Sequence, residues 1–136
     1  HFIQDNQSKS NKGVLRGLHY QNEEYAQAKL VRVVKGKVLD VCVDLRKDSA
    51  TFGKHFSIVL DDKKEQQLFI PKGFAHGFLV LEDDSIFSYK CDAYYNKASE
   101  SGIIYNDNLT NNLLTLPLSS TILLKKTTDK ALINRD

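Results

Sequence analysis

Several features that mark common protein classes are missing from this chain of 136 residues. No apolar run approaches the roughly 20 residues that a membrane-spanning helix needs. The 19 lysines and arginines are scattered rather than gathered into a basic tract, and the net charge is only +2. We therefore expect no membrane insertion and no nucleic-acid partner, whereas an anionic small molecule is compatible with the charge.

Cysteine is scarce, and the glycine-rich motifs of several enzyme classes are absent. Cys42 and Cys91 lie inside apolar runs without the spacing of metal ligands, so we expect two reduced thiols in the core. No nucleophile elbow, P-loop or dinucleotide-binding pattern occurs, which leaves phosphoryl and hydride transfer without support. The sequence opens at HFIQDN without the segments of a secretory signal, and we expect a cytoplasmic location.

What the chain does contain is a series of short β-rich runs separated by turn signals. Because no helical period lies between them, they predict an all-β sandwich or barrel, with one domain over residues 1–136. Inside the longest run, Lys35-Gly36 predicts a hairpin. A short helix after Pro117 is expected in the C-terminal tail. The runs occupy residues 14–21, 28–45, 55–60, 67–71, 77–82 and 85–91.

The first run, VLRGLHYQ, places Arg16 and His19 in an otherwise apolar strand. One interpretation is that both side chains face water from a half-buried strand. The other is that the strand lines a pocket, in which His19 is a base and Arg16 binds an anion. The pattern of this run alone leaves both interpretations open.

A second histidine lies in PKGFAHGFLVL, residues 71–81. Pro71 and Gly73 predict a tight turn, and His76 begins an apolar strand. The spacing matches the second half of the cupin metal motif, but the first half, a His-x-His pair with a glutamate, is missing. Two imidazoles fall short of the three or four ligands of such sites, so we expect no bound metal.

Longer motifs resemble one family. QDNQSKSNKGVLRGLHYQ, AQAKLVRVVKGKVLDVCVDLRKDSATFGKH, FIPKGFAHGFLVL and SYKCDAYYNKASESGIIYND follow the order of the dTDP-4-dehydrorhamnose 3,5-epimerases of deoxysugar biosynthesis. The similarity runs from about residue 4 to residue 107. It implies a cupin-like jelly roll, or double-stranded β-helix, usually a homodimer without a cofactor. The implied substrate is a dTDP-sugar of dTDP-rhamnose and polysaccharide biosynthesis.

The resemblance also implies catalytic roles. A 4-keto sugar has acidic protons on both carbons beside its carbonyl, so inversion needs a base, an acid on the opposite face and a group that stabilises the enolate. By motif position His19 resembles the base, Tyr89 the proton donor and Lys29 the cation beside the enolate oxygen. Asp40 matches an acid associated with His76 in the pocket.

Other positions resemble those that orient the base or bind the ligand. The family has a Lys-Asp pair near its C-terminus, and the aspartate of this pair orients the base. A direct alignment places Lys126 and Thr127 at these two positions, whereas a short insertion places Asp129 in the role of the aspartate. We favour Asp129. The ring of Tyr95 is available to stack on the nucleotide base. Positions that match the nucleotide and sugar contacts are Gln4, Asn6, Arg16, Tyr95, Glu100 and Lys126.

Two departures and three alternatives accompany the resemblance. The family chain begins with a strand that is not present before His1, and the family tryptophan near the C-terminus is absent, so we expect a divergent tail. The enzyme alternatives are a 3-epimerase acting at one carbon and a nucleotide-sugar 3,4-ketoisomerase. Ketoisomerases have a different histidine-rich motif, which the run LRGLHYQ of this chain does not match. An inactive sugar-nucleotide-binding module is the third, and the presence of His19, Lys29 and Tyr89 together argues against it.

Overall fold

The computed structural model describes residues 1–103 of the chain. This part consists of β-strands with two short 3₁₀ helices, Glu23–Tyr25 and Lys97–Ser99. None of its helices has the length and apolar character to cross a membrane. The helix predicted after Pro117 lies outside the described residues. The strands are β1 (Gln4–Ser10), β2 (Leu15–Gln21), β3 (Lys29–Lys35), β4 (Lys37–Asp44), β5 (His55–Asp61), β6 (Gln67–Ile70), β7 (Phe74–Val80), β8 (Ser85–Cys91) and β9 (Glu100–Gly102).

The strands form two antiparallel sheets that face each other. One sheet has four strands in the order β1-β8-β3-β6, and the other has five in the order β5-β4-β7-β2-β9. Pairing is nested, because β1 pairs with β8 and β2 pairs with β7. Two such sheets with long-range antiparallel pairs make a jelly roll. The prediction of an all-β, cupin-like jelly roll is confirmed.

The hairpin predicted at Lys35-Gly36 is wrong. Strand β3 pairs with β6 and β8, whereas β4 pairs with β5 and β7 in the other sheet. The chain therefore crosses from one sheet to the other at Gly36. A turn signal marks where the chain bends, but the partner of each strand is decided by how whole sheets bury their apolar faces.

The core has two layers because strand β4 is buried on both faces. On the inner face, Val38 and Cys42 pack between the sheets with Val31 and Phe87 of the four-stranded sheet. The outer face carries a second apolar cluster, from Leu18 to Ile103. Both cysteines are free thiols in buried positions, as predicted.

Candidate active site

Strand β2 contains a bulge that places Arg16 and His19 on the same face. In a regular strand, residues three apart point to opposite faces of the sheet. Here Arg16 lies opposite Phe78 and His19 opposite His76, so three steps along β2 match two steps along β7. The extra residue turns both polar side chains toward the space between the sheets.

Gly17 lies in the bulge, and no larger residue fits there. Its φ is +110°, and a Cβ would come within 2.6 Å of the Gly77 Cα and of the His76 carbonyl oxygen. The two leucines beside it, Leu15 and Leu18, both pack into the outer cluster. The glycine thus allows the leucines to face the outer cluster while Arg16 and His19 face the other side of the sheet, which the spacing of a regular strand would not permit.

A cavity of about 260 Å³ lies between β1, β3 and β8 of one sheet and β2 and β9 of the other. Seven of the site residues predicted from the sequence line it: Gln4, Asn6, His19, Lys29, Tyr89, Tyr95 and Glu100. Four further lining residues were not predicted: Tyr20, Gln21, Gln27 and Cys91. Of these, Gln21 could have been found from the strand period, because it follows His19 by two positions on β2.

His19 forms one wall of the cavity and faces a carboxylate. Its Nδ1 lies 3.6 Å from Oε1 of Glu100 on β9, which is too long for a hydrogen bond but close enough for an electrostatic interaction. The other carboxylate oxygen accepts a hydrogen bond from the Tyr95 hydroxyl at 2.7 Å. Burial lowers the pKa of His19 below its usual 6.5; Glu100 opposes this shift and Lys29 adds to it. A neutral imidazole near pH 7 can act as a base.

Lys29 and Tyr89 come from the opposite sheet. The Lys29 Nζ lies 5.9 Å from the centre of the Tyr89 ring. Burial lowers the pKa of Lys29 and raises the pKa of Tyr89, so near neutral pH the phenol keeps its proton. A base on one wall and a phenol with a lysine amine on the other can remove a proton from one side of a carbon acid and return one to the other.

Asp40 and His76 form a buried hydrogen-bonded pair beside the cavity. His76 Nε2 lies 2.8 Å from Oδ2 and 3.0 Å from Oδ1 of Asp40, and the side chains are 7% and 0% exposed. Neither residue lines the cavity, but His76 is the register partner of His19. The two side chains are thus in contact, as the motif implies, but they lie beside the cavity, on β4 and β7, rather than in it.

Among the described residues that the sequence predicts for the site, Arg16 is another that does not line the cavity. Arg16 is exposed, and its Nη2 donates a hydrogen bond to the Ser10 Oγ of β1 at 3.1 Å. Asp129 and Lys126 lie outside the described residues. Within residues 1–103, no three histidine, cysteine, aspartate or glutamate side chains come together in the manner of metal ligands.

Comparison with known proteins agrees with the motif resemblance. The family profile described as dTDP-4-dehydrorhamnose 3,5-epimerase matches residues 1–130. The dTDP-4-dehydrorhamnose 3,5-epimerase of Shigella flexneri is 57% identical over 110 residues, which cover 81% of this chain and 61% of that relative. The chain thus spans about three-fifths of the length of the curated relatives it matches.

Two solved structures are similar over most of the chain. The dTDP-6-deoxy-D-glucose-3,5-epimerase of Legionella pneumophila Philadelphia 1, in complex with dTDP-4-keto-L-rhamnose, has 48% identity and a TM-score of 0.83, covering 90% of this chain and 63% of that one. A 3'-monoepimerase of Streptomyces bikiniensis, in complex with dTDP-quinovose, has 32% identity and a TM-score of 0.80, covering 92% and 62%. With the profile, these identities show that the chain belongs to the dTDP-4-dehydrorhamnose 3,5-epimerase family.

Proposed function

We propose that the chain carries the active site of an epimerase for a dTDP-4-keto-6-deoxy sugar, of the type that converts dTDP-4-dehydro-6-deoxyglucose to dTDP-4-dehydrorhamnose. One observation supports this most directly: His19 faces Tyr89 and Lys29 across a single cavity, from opposite sheets. Inversion at a carbon requires a proton to leave from one face and to return on the other. Two catalytic groups on facing walls meet that requirement.

Each step can be assigned to a side chain of this cavity. His19 removes the proton from the carbon beside the carbonyl, and the electron pair of the broken C–H bond moves into an enolate whose oxygen is stabilised by the protonated Lys29 amine. The Tyr89 hydroxyl then gives its proton to the opposite face of the carbon, and the carbonyl re-forms. Exchange with water returns a proton to Tyr89 and takes one from His19. The cycle needs no cofactor.

The cavity size indicates which part of the ligand it encloses. Pockets that enclose whole drug-sized ligands measure roughly 300–1,000 Å³, and this cavity is about 260 Å³. We therefore place the sugar in the part of the cavity beside His19, Lys29 and Tyr89, and the nucleotide over Gln4, Asn6 and the exposed ring of Tyr95, which also line it. Arg16 and Lys126 as diphosphate ligands, Asp129 as the acid that orients His19, the homodimer, the cytoplasmic location and the single domain over residues 1–136 stay predictions.

The test separates the two half-reactions in heavy water. In Tyr89→Phe the base remains, so we expect deuterium to enter beside the carbonyl of dTDP-4-dehydro-6-deoxyglucose while little epimer forms. The parent protein should do both. Mass and proton spectra of the recovered sugar measure the outcome, and Tyr94→Phe, at a tyrosine that is 67% exposed, is the matched control.

Three results would contradict these assignments. Full epimerisation by Tyr89→Phe would show that another group supplies the proton. Loss of deuterium exchange together with epimerisation would place Tyr89 in the abstraction step. A parent protein that binds the sugar nucleotide but exchanges no deuterium would be the inactive binding module.

Epimerisation at one carbon is the second candidate, and the similarity to a 3'-monoepimerase favours considering it. The same spectra distinguish the two reactions, because each inverted carbon takes up one deuteron from the solvent. A 3,5-epimerase labels both carbons beside the carbonyl, and a monoepimerase yields product inverted and labelled at one of them. A product with the ketone moved to the neighbouring carbon would indicate a 3,4-ketoisomerase.

A further inference from the structure

The backbone of segment 92–96, which carries Tyr95, is held by glutamine side chains. Three glutamines reach it from β1, from the end of β2 and from the residues before β3, and all three line the cavity. One of the glutamine side chains donates a hydrogen bond to the segment, and the other two accept one from it. They are Gln27 Nε2 to the Ala93 carbonyl at 2.8 Å, the Tyr95 N–H to Gln4 Oε1 at 2.9 Å and the Asn96 N–H to Gln21 Oε1 at 3.0 Å.

We propose that Gln21 and Gln27 are positioning residues for nucleotide binding, because they fix segment 92–96 and thereby hold the Tyr95 ring at the cavity. The identity of the ligand, a nucleoside diphosphate, rests on the proposed function. The fixing of the segment does not depend on it.

The exposure of these residues shows why the glutamine side chains determine where segment 92–96 lies, and are not needed merely to satisfy its backbone. Tyr95 is 49% exposed, so its backbone could be hydrated without these side chains. Gln21 is only 8% exposed, and its amide is therefore a fixed point. A bond from a fixed amide to an exposed segment selects one location among those that water would satisfy equally well.

The same segment is coupled to the predicted base. The Asn96 side chain accepts hydrogen bonds from the N–H groups of Ala98 and Ser99 and so caps the 3₁₀ helix that leads into β9. Strand β9 begins with Glu100, the register partner of Gln21. With the Tyr95 hydroxyl bonded to Glu100, segment 92–96 and this carboxylate form one unit beside His19.

The decisive variant is Gln27→Met, which keeps the length of the side chain and removes the amide. Gln27 bonds to Ala93, whereas the Asn96 N–H bonds to Gln21. Faster hydrogen exchange at the Asn96 amide in this variant, measured by NMR, would therefore report release of the segment rather than loss of a direct contact. We expect exchange there to quicken about 3- to 10-fold, the equilibrium equivalent of one such hydrogen bond.

Ligand binding is measured on the same protein with dTDP as the probe. By calorimetry the Kd of dTDP should rise about 3- to 10-fold, and the KM of the sugar nucleotide should rise by the same factor. The loss should appear mainly in KM, with a smaller change in kcat through Glu100, because His19, Lys29 and Tyr89 themselves are unchanged. Gln21→Met should behave alike, and Gln7→Met, at an exposed position of β1, is the matched control.

Each outcome decides one part of the proposal. Unchanged exchange at Asn96 in Gln27→Met would overturn the fixing of the segment, and faster exchange with an unchanged Kd would overturn its role in nucleotide binding. A parent protein that does not bind dTDP would refute the proposed ligand, while the exchange data would still decide whether the segment is fixed. If Gln27→Met does not fold, Gln27→Asn takes its place in the experiment. That variant keeps the amide, but on a side chain that is one carbon shorter.

Discussion

At His19, burial and charge act on the pKa in opposite directions. Burial lowers it, Glu100 raises it and Lys29 lowers it further, with a net shift to below 6.5. A lower pKa means that the imidazole stays neutral to lower pH. The acid limb of kcat/KM should therefore have its midpoint below pH 6.5, provided that His19 is the base in the free enzyme.

Glu100→Gln sharpens this prediction. The substitution removes the charge that raises the pKa of His19, so the acid limb should move to still lower pH, whatever happens to the maximal rate. A pH profile of kcat/KM for the two proteins measures the shift.

The variant His19→Asn tests the base itself. Its activity should fall by about 10²–10⁴-fold, and the activity that remains should lack the acid limb of the pH profile. A limb that persists in that variant would assign it to another group.

Individual residues of the site were predictable to different degrees. His19, Lys29 and Tyr89 could be named because they lie in motifs that the family shares. Gln27 could not, since a glutamine between strands is typical of a solvated surface, and its bond to Ala93 joins residues that are 66 positions apart. The approach of Glu100 to His19 likewise depends on β9, a strand of three residues with no pattern of its own.

At the scale of single elements, the bulge in β2 is the feature with the sharpest steric requirement. An alanine at position 17 would place a Cβ 2.6 Å from the backbone of Gly77, at a φ of +110°. We expect Gly17→Ala to lower the free energy of unfolding by about 3 kcal/mol or more, since steric overlap adds to backbone strain. Urea unfolding followed by circular dichroism measures the change.

Gly53→Ala is the matched control for the bulge. Gly53 also has a positive φ, +74°, but an added Cβ would meet nothing within 4 Å. Its substitution should cost only about 1–2 kcal/mol, the strain of the left-handed conformation alone. Equal losses in the two variants would show that the close approach of β2 and β7 at Gly17 is not a constraint.

The strands themselves were predicted well where their side chains alternate or are uniformly apolar. Strands β3 to β8 contain such runs, and all were expected from the sequence. Strand β1, QDNQSKS, was missed because its inward face is polar: Gln4 and Asn6 line the cavity rather than the core. The hairpin prediction at Gly36 was wrong for a different reason, because a local turn signal carries no information on which sheet the next strand joins.

At the scale of the whole molecule, the carboxylate of Asp44 links the end of β4 to the loop that follows. It is 1% exposed and accepts hydrogen bonds from Arg46 at 2.9 and 2.8 Å, from Ser49 at 2.6 Å and from Thr51 at 2.5 Å. The bond from Arg46 holds the pKa of Asp44 far below its usual range, and the two hydroxyls add to this effect. The folded chain therefore resists protonation that the unfolded chain accepts.

The sign of this linkage predicts a pH dependence of stability. A depressed carboxyl pKa contributes stability above the unfolded value of about 4, and the contribution is lost as the pH falls below it. We expect Asp44→Asn to lower the free energy of unfolding by about 1.5–3 kcal/mol at pH 7, and less at pH 3. Urea titrations at both pH values test this, with the exposed Asp48→Asn as the control. An effect independent of pH would mean that the charge of Asp44 is not what stabilises the loop.

The nested strand order also governs when this molecule can form during synthesis. Gln4 of β1 pairs with Cys91 of β8, and Gln21 of β2 pairs with Glu100 of β9. The two ends of the described chain therefore depend on each other. Folds dominated by such distant pairs are slow to form, because the loops between partners must close first. A nascent chain that stops short of β8 and β9 lacks walls on both sides of the cavity. On the ribosome, the cavity therefore cannot exist until Glu100, the first residue of β9, has left the exit tunnel.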